Sequence, residues 1–131
     1  MKGLAGWNWV LVALGGGIGA VARYGLGRVV AARLGSAFPW GTLLINVSGA
    51  FLIGVLLTAL ARRGVADDAW RLGLAVGVLG GYTTFSAFAY EAVRLLERGE
   101  AARAALYVFG SNGLGLLACL GGIAIARVLV P

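Results

Sequence analysis

Asn46 stands near the middle of an apolar run, GTLLINVSGAFLIG. A carboxamide there must find hydrogen-bond partners, so it faces other protein groups or a water-filled path. Two readings of the residue stay open: an interhelical hydrogen bond worth roughly 0.6–2 kcal/mol, or a donor to a permeating anion through its two N–H groups. A second stretch, GGYTTFSAFAYE at residues 80–91, interrupts another apolar run. Gly80 and Gly81 weaken a helix, and the hydroxyls of Thr83, Thr84 and Ser86 compete for its backbone bonds. If the helix opens, freed carbonyls suit a cation and the new helix N-terminus suits an anion. If it stays continuous, the glycines serve packing and the threonines bond back to their own helix. Phe85 and Phe88, three apart, share a face just beyond. Such a pair is ordinarily core, yet ring edges carry partial positive charge and solvate a small anion without trapping it. Tyr107 and Ser111 are four apart, with Arg103 one turn earlier, a hydroxyl stripe leading from a basic mouth. Glu91 lies in line with Phe88 and has Thr42 or an arginine as candidate partner.

These residues sit on elements that the composition defines. The chain has 131 residues, 60% of them hydrophobic, and its 11 Lys and Arg and 5 Asp and Glu cluster between apolar runs. Mean hydropathy is +0.92. At about 20 apolar residues per crossing, the pattern predicts an all-α membrane protein, one four-helix transmembrane domain over 1–131, with spans near 7–30, 40–61, 72–93 and 104–126. The third span is expected to be broken near its middle, where unwound backbone is tolerated only if buried in protein or lining a cavity. Lys2 before an apolar run also fits a secretory leader, but the run is long for one and lacks a clear cleavage pattern, so it reads as an uncleaved span. Gly15 and Gly19, and Gly73, Gly77 and Gly81, fall at helical spacing and read as close helix contacts.

The charge distribution is nearly symmetric. One side of the membrane takes Lys2, Arg62, Arg63, Arg71 and Arg127; the other takes Arg28, Arg33, Arg94, Arg98 and Arg103, with Arg23 inside the first span. A chain whose basic residues choose no side inserts both ways, and opposite copies can pair as an antiparallel homodimer. The alternative is a fixed orientation dominated by one or two arginines.

Several classes fall away. The net charge of +6 follows from arginines at span ends, so no nucleic-acid partner is implied. WVLVALGGGIGAVAR has glycines spaced suggestively for a dinucleotide loop, but that motif needs an acid about 20 residues on, and the first acid is Asp67; no nucleotide is expected. Histidine is absent and Cys119 is the sole cysteine, which removes His metal sites and intrachain disulfides.

GGGIGAVARY, GTLLINVSGAFLIG and GGYTTFSAF, with four spans and a matching length, resemble the Fluc family of fluoride channels, also called CrcB-like proteins, over essentially the whole chain. The resemblance implies no enzyme but a passive fluoride channel of the cell (inner) membrane. It implies an antiparallel dual-topology homodimer with two pores and a structural Na+ at the dimer centre. Carried over by motif, backbone carbonyls of Gly80 and Thr83 would hold the Na+, and Phe85 and Phe88 match the paired phenylalanines beside the pores. Asn46 matches the pore asparagine, Tyr107 and Ser111 the polar track, Thr42 and Glu91 the polar pair near it, and Arg23 the first-helix arginine. Ala87, Ala89 and Gly115 depart from the pattern, offering no hydroxyl where relatives often extend the track. The competing class is a small multidrug or cation exporter, also four-helical and dual-topology; it needs an intramembrane acid, usually on the first helix, and only Glu91 is available. A glycine-packed assembly subunit without transport is the third reading.

Overall fold

The computed structural model describes residues 6–65 and 69–131; Lys2 and Asp67 lie outside them. Helix α1 is Gly6–Leu34 and α2 is Trp40–Arg62. Helix α3 begins as wide π-helical turns, Arg71–Leu79, and closes with one α-turn, Gly80–Tyr82. Helix α4 is Phe85–Glu97 and α5 is Ala101–Leu129. Among the described residues four stretches, Gly6–Leu34, Trp40–Arg62, Arg71–Glu97 and Ala101–Leu129, are long and apolar enough to cross a membrane. They run past the expected spans because the arginines at their ends, which mark the limits of the apolar runs, are good helix formers and do not stop a helix.

Large apolar side chains point outward: Phe109 is 76% and Val128 83% exposed. With lipid outside, burial from water cannot hold these helices together, and close backbone contact does so instead. Of the two glycine rows, Gly15, Gly19, Gly77 and Gly81 make the close contacts that their spacing predicts, whereas a Cβ on Gly73 would meet nothing within 4 Å. A Cβ on Gly15 would lie 3.0 Å from the Gly77 Cα, and one on Gly19 2.7 Å from the Tyr82 amide nitrogen, so α1 and α3 touch backbone to backbone. Helices α2 and α5 pack the same way, with a Cβ on Gly122 only 3.0 Å from the Val55 nitrogen. A small side-chain core forms at one end, where Ala92, Leu95, Ala104 and Tyr107 are buried under Phe38, Leu43 and Phe88.

The helix ends have local causes. Gly64 and Gly99 take φ of +69° and +77°, conformations that side chains rarely adopt. Val65 N–H then reaches back to the Leu60 carbonyl and Glu100 N–H to that of Leu95, both at 2.9 Å, satisfying the last carbonyls of α2 and α4. Between α3 and α4 stand two extended residues, Thr83 (φ −79°, ψ 158°) and Thr84 (φ −150°, ψ 118°).

Candidate functional site

Thr83 and Thr84 redirect the hydrogen bonds of the third span. In a continuous helix the Thr84 N–H would bond the Gly80 carbonyl, and the Ala87 N–H that of Thr83. Here Thr84 N–H donates to Asn46 Oδ1 at 2.8 Å, and Ala87 N–H donates to Thr84 Oγ1 at 3.2 Å. The Gly80 and Thr83 carbonyls thereby lose their helical donors. The Gly81 carbonyl accepts from Arg23 Nε of α1 at 3.1 Å. The Leu79 carbonyl accepts both the N–H and the hydroxyl of Thr83, each at 3.0 Å, which closes the last turn of α3.

Asn46 also donates, from Nδ2 to the Thr84 carbonyl at 2.9 Å. The carboxamide therefore clamps both backbone groups of one residue. The interhelical reading of Asn46 is thus what the geometry displays, and it leaves one of the two N–H groups for another acceptor. A second tie lies beside it: Ser48 Oγ and Tyr82 Oη are 2.8 Å apart, and Ser48 also donates to the Ile45 carbonyl at 3.1 Å. Gly49 gives Thr83 its space, since a Cβ there would collide with the Thr83 methyl group.

Two clefts meet at this clamp. The first is lined by Asn46, Gly80, Thr83, Phe85, Phe88 and Ser111. Phe85 is 77% exposed, its ring centroid 5.6 Å from that of Phe88. The Ser111 hydroxyl is buried without a hydrogen-bond partner among the described residues. The second cleft is lined by Arg23, Arg28, Thr42 and Glu91. Thr84 belongs to both, so the Asn46–Thr84 clamp stands between them.

Glu91 meets hydroxyls rather than an arginine: Thr42 donates to Oε1 at 2.8 Å and Tyr107 to Oε2 at 2.6 Å. Tyr107 is fully buried, 5.2 Å from Phe88 and edge-on to Phe38 at 5.5 Å. Its proton is committed to Glu91, so within the Tyr107–Ser111 stripe the unpaired hydroxyl is that of Ser111. Arg103 pairs with Glu100 at 2.8 Å on an exposed face. Gly115 opens onto empty space. Sequence reasoning missed Ser48, Gly49 and Tyr82. The nearness of Ser48 and Gly49 to Asn46 is the only signal for them, and nothing in the sequence pairs Ser48 with Tyr82.

Four apolar stretches of membrane-spanning length, flanking two clefts that carry polar side chains, define a multi-pass integral membrane protein. The chain belongs to the CrcB-like family: the family model described as CrcB-like protein, Camphor Resistance (CrcB), matches residues 10–123. Among curated relatives, it is 50% identical over 123 residues to a fluoride-specific ion channel FluC of Thermus thermophilus, covering 94% of this chain and 98% of that one. It is 49% identical over 120 residues to the protein of the same name from Rhizobium johnstonii, covering 92% and 96%.

Proposed function

We propose that this chain is a passive fluoride-selective channel that lets F⁻ leave the cytoplasm and so lowers fluoride toxicity. The observation that carries the reading is the near full-length similarity to relatives named fluoride-specific ion channels. Their name also favours a channel over an enzyme. The geometry supports the reading because the polar groups facing the first cleft are weak donors without full charge. The remaining Asn46 N–H, the Ser111 hydroxyl and the edges of Phe85 and Phe88 would solvate an anion yet release it. Arg23 and Arg28 of the second cleft would gather anions at its entrance. Thr42 and Tyr107 would offset the charge of the Glu91 carboxylate on the wall of that cleft by donating to both its oxygens.

The conducting unit in this reading is an antiparallel homodimer of dual topology. A single chain leaves the first cleft open beside exposed Phe85, and a second copy would close it. A Na+ ion at the dimer centre is part of the proposal. Hard cations take oxygen ligands, and the Gly80 and Thr83 carbonyls, relieved of their helical donors, fit that need. When bound, the ion would supply fixed positive charge that offsets the cost of bringing fluoride into a low-dielectric region. No fuel is required: an interior-negative potential of about 100 mV, worth about 2.3 kcal/mol per charge, favours outward fluoride roughly 50-fold.

The test is fluoride efflux from liposomes under a potassium–valinomycin potential, read by a fluoride electrode with chloride as the paired control. Rapid fluoride release with little chloride release is expected, and its loss in the folded Phe85→Ile, Phe88→Ile double variant. No fluoride release from folded protein in sodium buffer overturns the proposal. Unaltered flux in the double variant overturns the pore assignment.

A further inference from the structure

At the end of the molecule away from Glu91, α2 and α5 finish side by side, and a cleft opens between them. It is lined by Leu57, Thr58, Ala61, Arg62 and Arg127. Thr58, Ala61 and Arg62 follow one another at i, i+3 and i+4, so they form a single face of α2. Arg62 donates from Nε to the Val130 carbonyl just past the end of α5. That bond holds the guanidinium across the gap and, among the described residues, its two terminal nitrogens make no further bond. Arg127 makes no hydrogen bond or ion pair among the described residues, and the Thr58 hydroxyl has no partner there either. By contrast, at the opposite end Arg94 and Arg103 are met by Glu97 and Glu100 at 2.7 and 2.8 Å.

Among the described residues the polar lining is thus two guanidinium groups and a hydroxyl, which is a donor set for phosphate oxygens. The rest of the lining, Leu57 and Ala61, is apolar. The cleft sits at the ends of two membrane-crossing helices, where headgroups lie, and basic recesses between such helices are suited to anionic headgroups. A free phosphate ion would use the donors and gain nothing from the apolar wall; a phospholipid uses both.

We propose that this cleft binds the phosphodiester headgroup of an anionic phospholipid through Thr58, Arg62 and Arg127, with the lipid's glycerol and upper acyl chain against Leu57 and Ala61. It shares no residue with the clefts around Asn46, so its test does not depend on ion flux. Native mass spectrometry of the purified chain in neutral detergent reads it directly, with phosphatidylglycerol, phosphatidylcholine of the same acyl chains, and inorganic phosphate added in turn. Phosphatidylglycerol is expected to be retained in preference to phosphatidylcholine, and Arg127→Gln to weaken its retention about fivefold, the worth of one basic residue near the headgroups. Arg127 anchors nothing in the fold, so this variant is expected to elute as the wild type does. If it fails to fold, Thr58→Val, which removes one donor at constant shape, decides by the same reading. Equal retention of the two lipids, unaltered retention in the variant that folds, or displacement of phosphatidylglycerol by an equal concentration of inorganic phosphate would each overturn the proposal.

Discussion

At the scale of single residues, Asn46 makes the interhelical bonds that are one of the two roles its sequence position suggests. Its carboxamide closes a pair of hydrogen bonds around Thr84, at 2.8 and 2.9 Å, and still has one N–H in hand. Replacing it with alanine removes both bonds at once and leaves the Thr84 amide without a partner at membrane depth, while the Thr84 carbonyl, at the N-cap of α4, keeps the first intrahelical bond of that helix. The expected cost is roughly 0.6–2 kcal/mol for each bond. Fluoride flux should fall about tenfold for each 1.4 kcal/mol lost along the path. Thermal unfolding in detergent and electrode-recorded efflux measure the two effects separately. Asn46 as a polar intruder was legible in the sequence; its partner was not, because the partner is backbone and any residue could supply it. Glu91 shows the same limit. Thr42 was one of its candidate partners, but Tyr107 entered the sequence reading only as part of a hydroxyl stripe, and its 2.6 Å bond to Glu91 depends on where α4 and α5 cross.

Elements are joined here by absent side chains. Gly19 and Gly17 are two residues apart on α1, yet a Cβ on Gly19 would run into the α3 backbone, while one on Gly17 would meet nothing within 4 Å. Gly19→Ala is therefore expected to destabilise the protein by about 1–3 kcal/mol through overpacking. Gly17→Ala is expected to be neutral or to stabilise by up to about 1 kcal/mol through helix propensity. Gel-filtration recovery after heating distinguishes them, and equal losses in both would mean that the α1–α3 contact does not carry the stability. The glycine spacing was readable from the sequence because four-residue periodicity fixes a helix face. The π-helical turns of Arg71–Leu79 were not, since nothing in RLGLAVGVL beyond two glycines departs from an ordinary apolar helix.

For the whole molecule, the nearly equal division of Lys and Arg between the two sides makes orientation sensitive to small changes in charge. Ala37 and Ala102 are exposed, line neither polar clefts nor the basic one, and lie on the side of Arg33 and Arg103. Ala37→Lys with Ala102→Lys is expected to fix that side in the cytoplasm, so a C-terminal topology reporter should score as external only. If antiparallel pairs conduct, this variant alone should lose flux. Co-expression with the oppositely biased Arg33→Gln, Arg98→Gln chain should restore it. Flux from a chain held in one orientation would exclude the antiparallel unit.

The sequence by itself determined the solvent, the number and approximate limits of the apolar helices, the glycine faces and the identity of the polar residues that lipid would not tolerate. Those follow from local composition and periodicity, which no neighbour can alter. Only the tertiary structure decided who meets whom. It turned the Thr84 amide to Asn46, gave the Gly81 carbonyl to Arg23 and drew Tyr107 onto Glu91. It also brought Arg127 beside Arg62 at the ends of two helices. Each of these is a contact between residues on different helices or segments, and its geometry is set by how closely those helices approach, through glycine faces at α1–α3 and α2–α5 and through the small side-chain core at α4–α5, a property of pairs of helices that neither one carries alone.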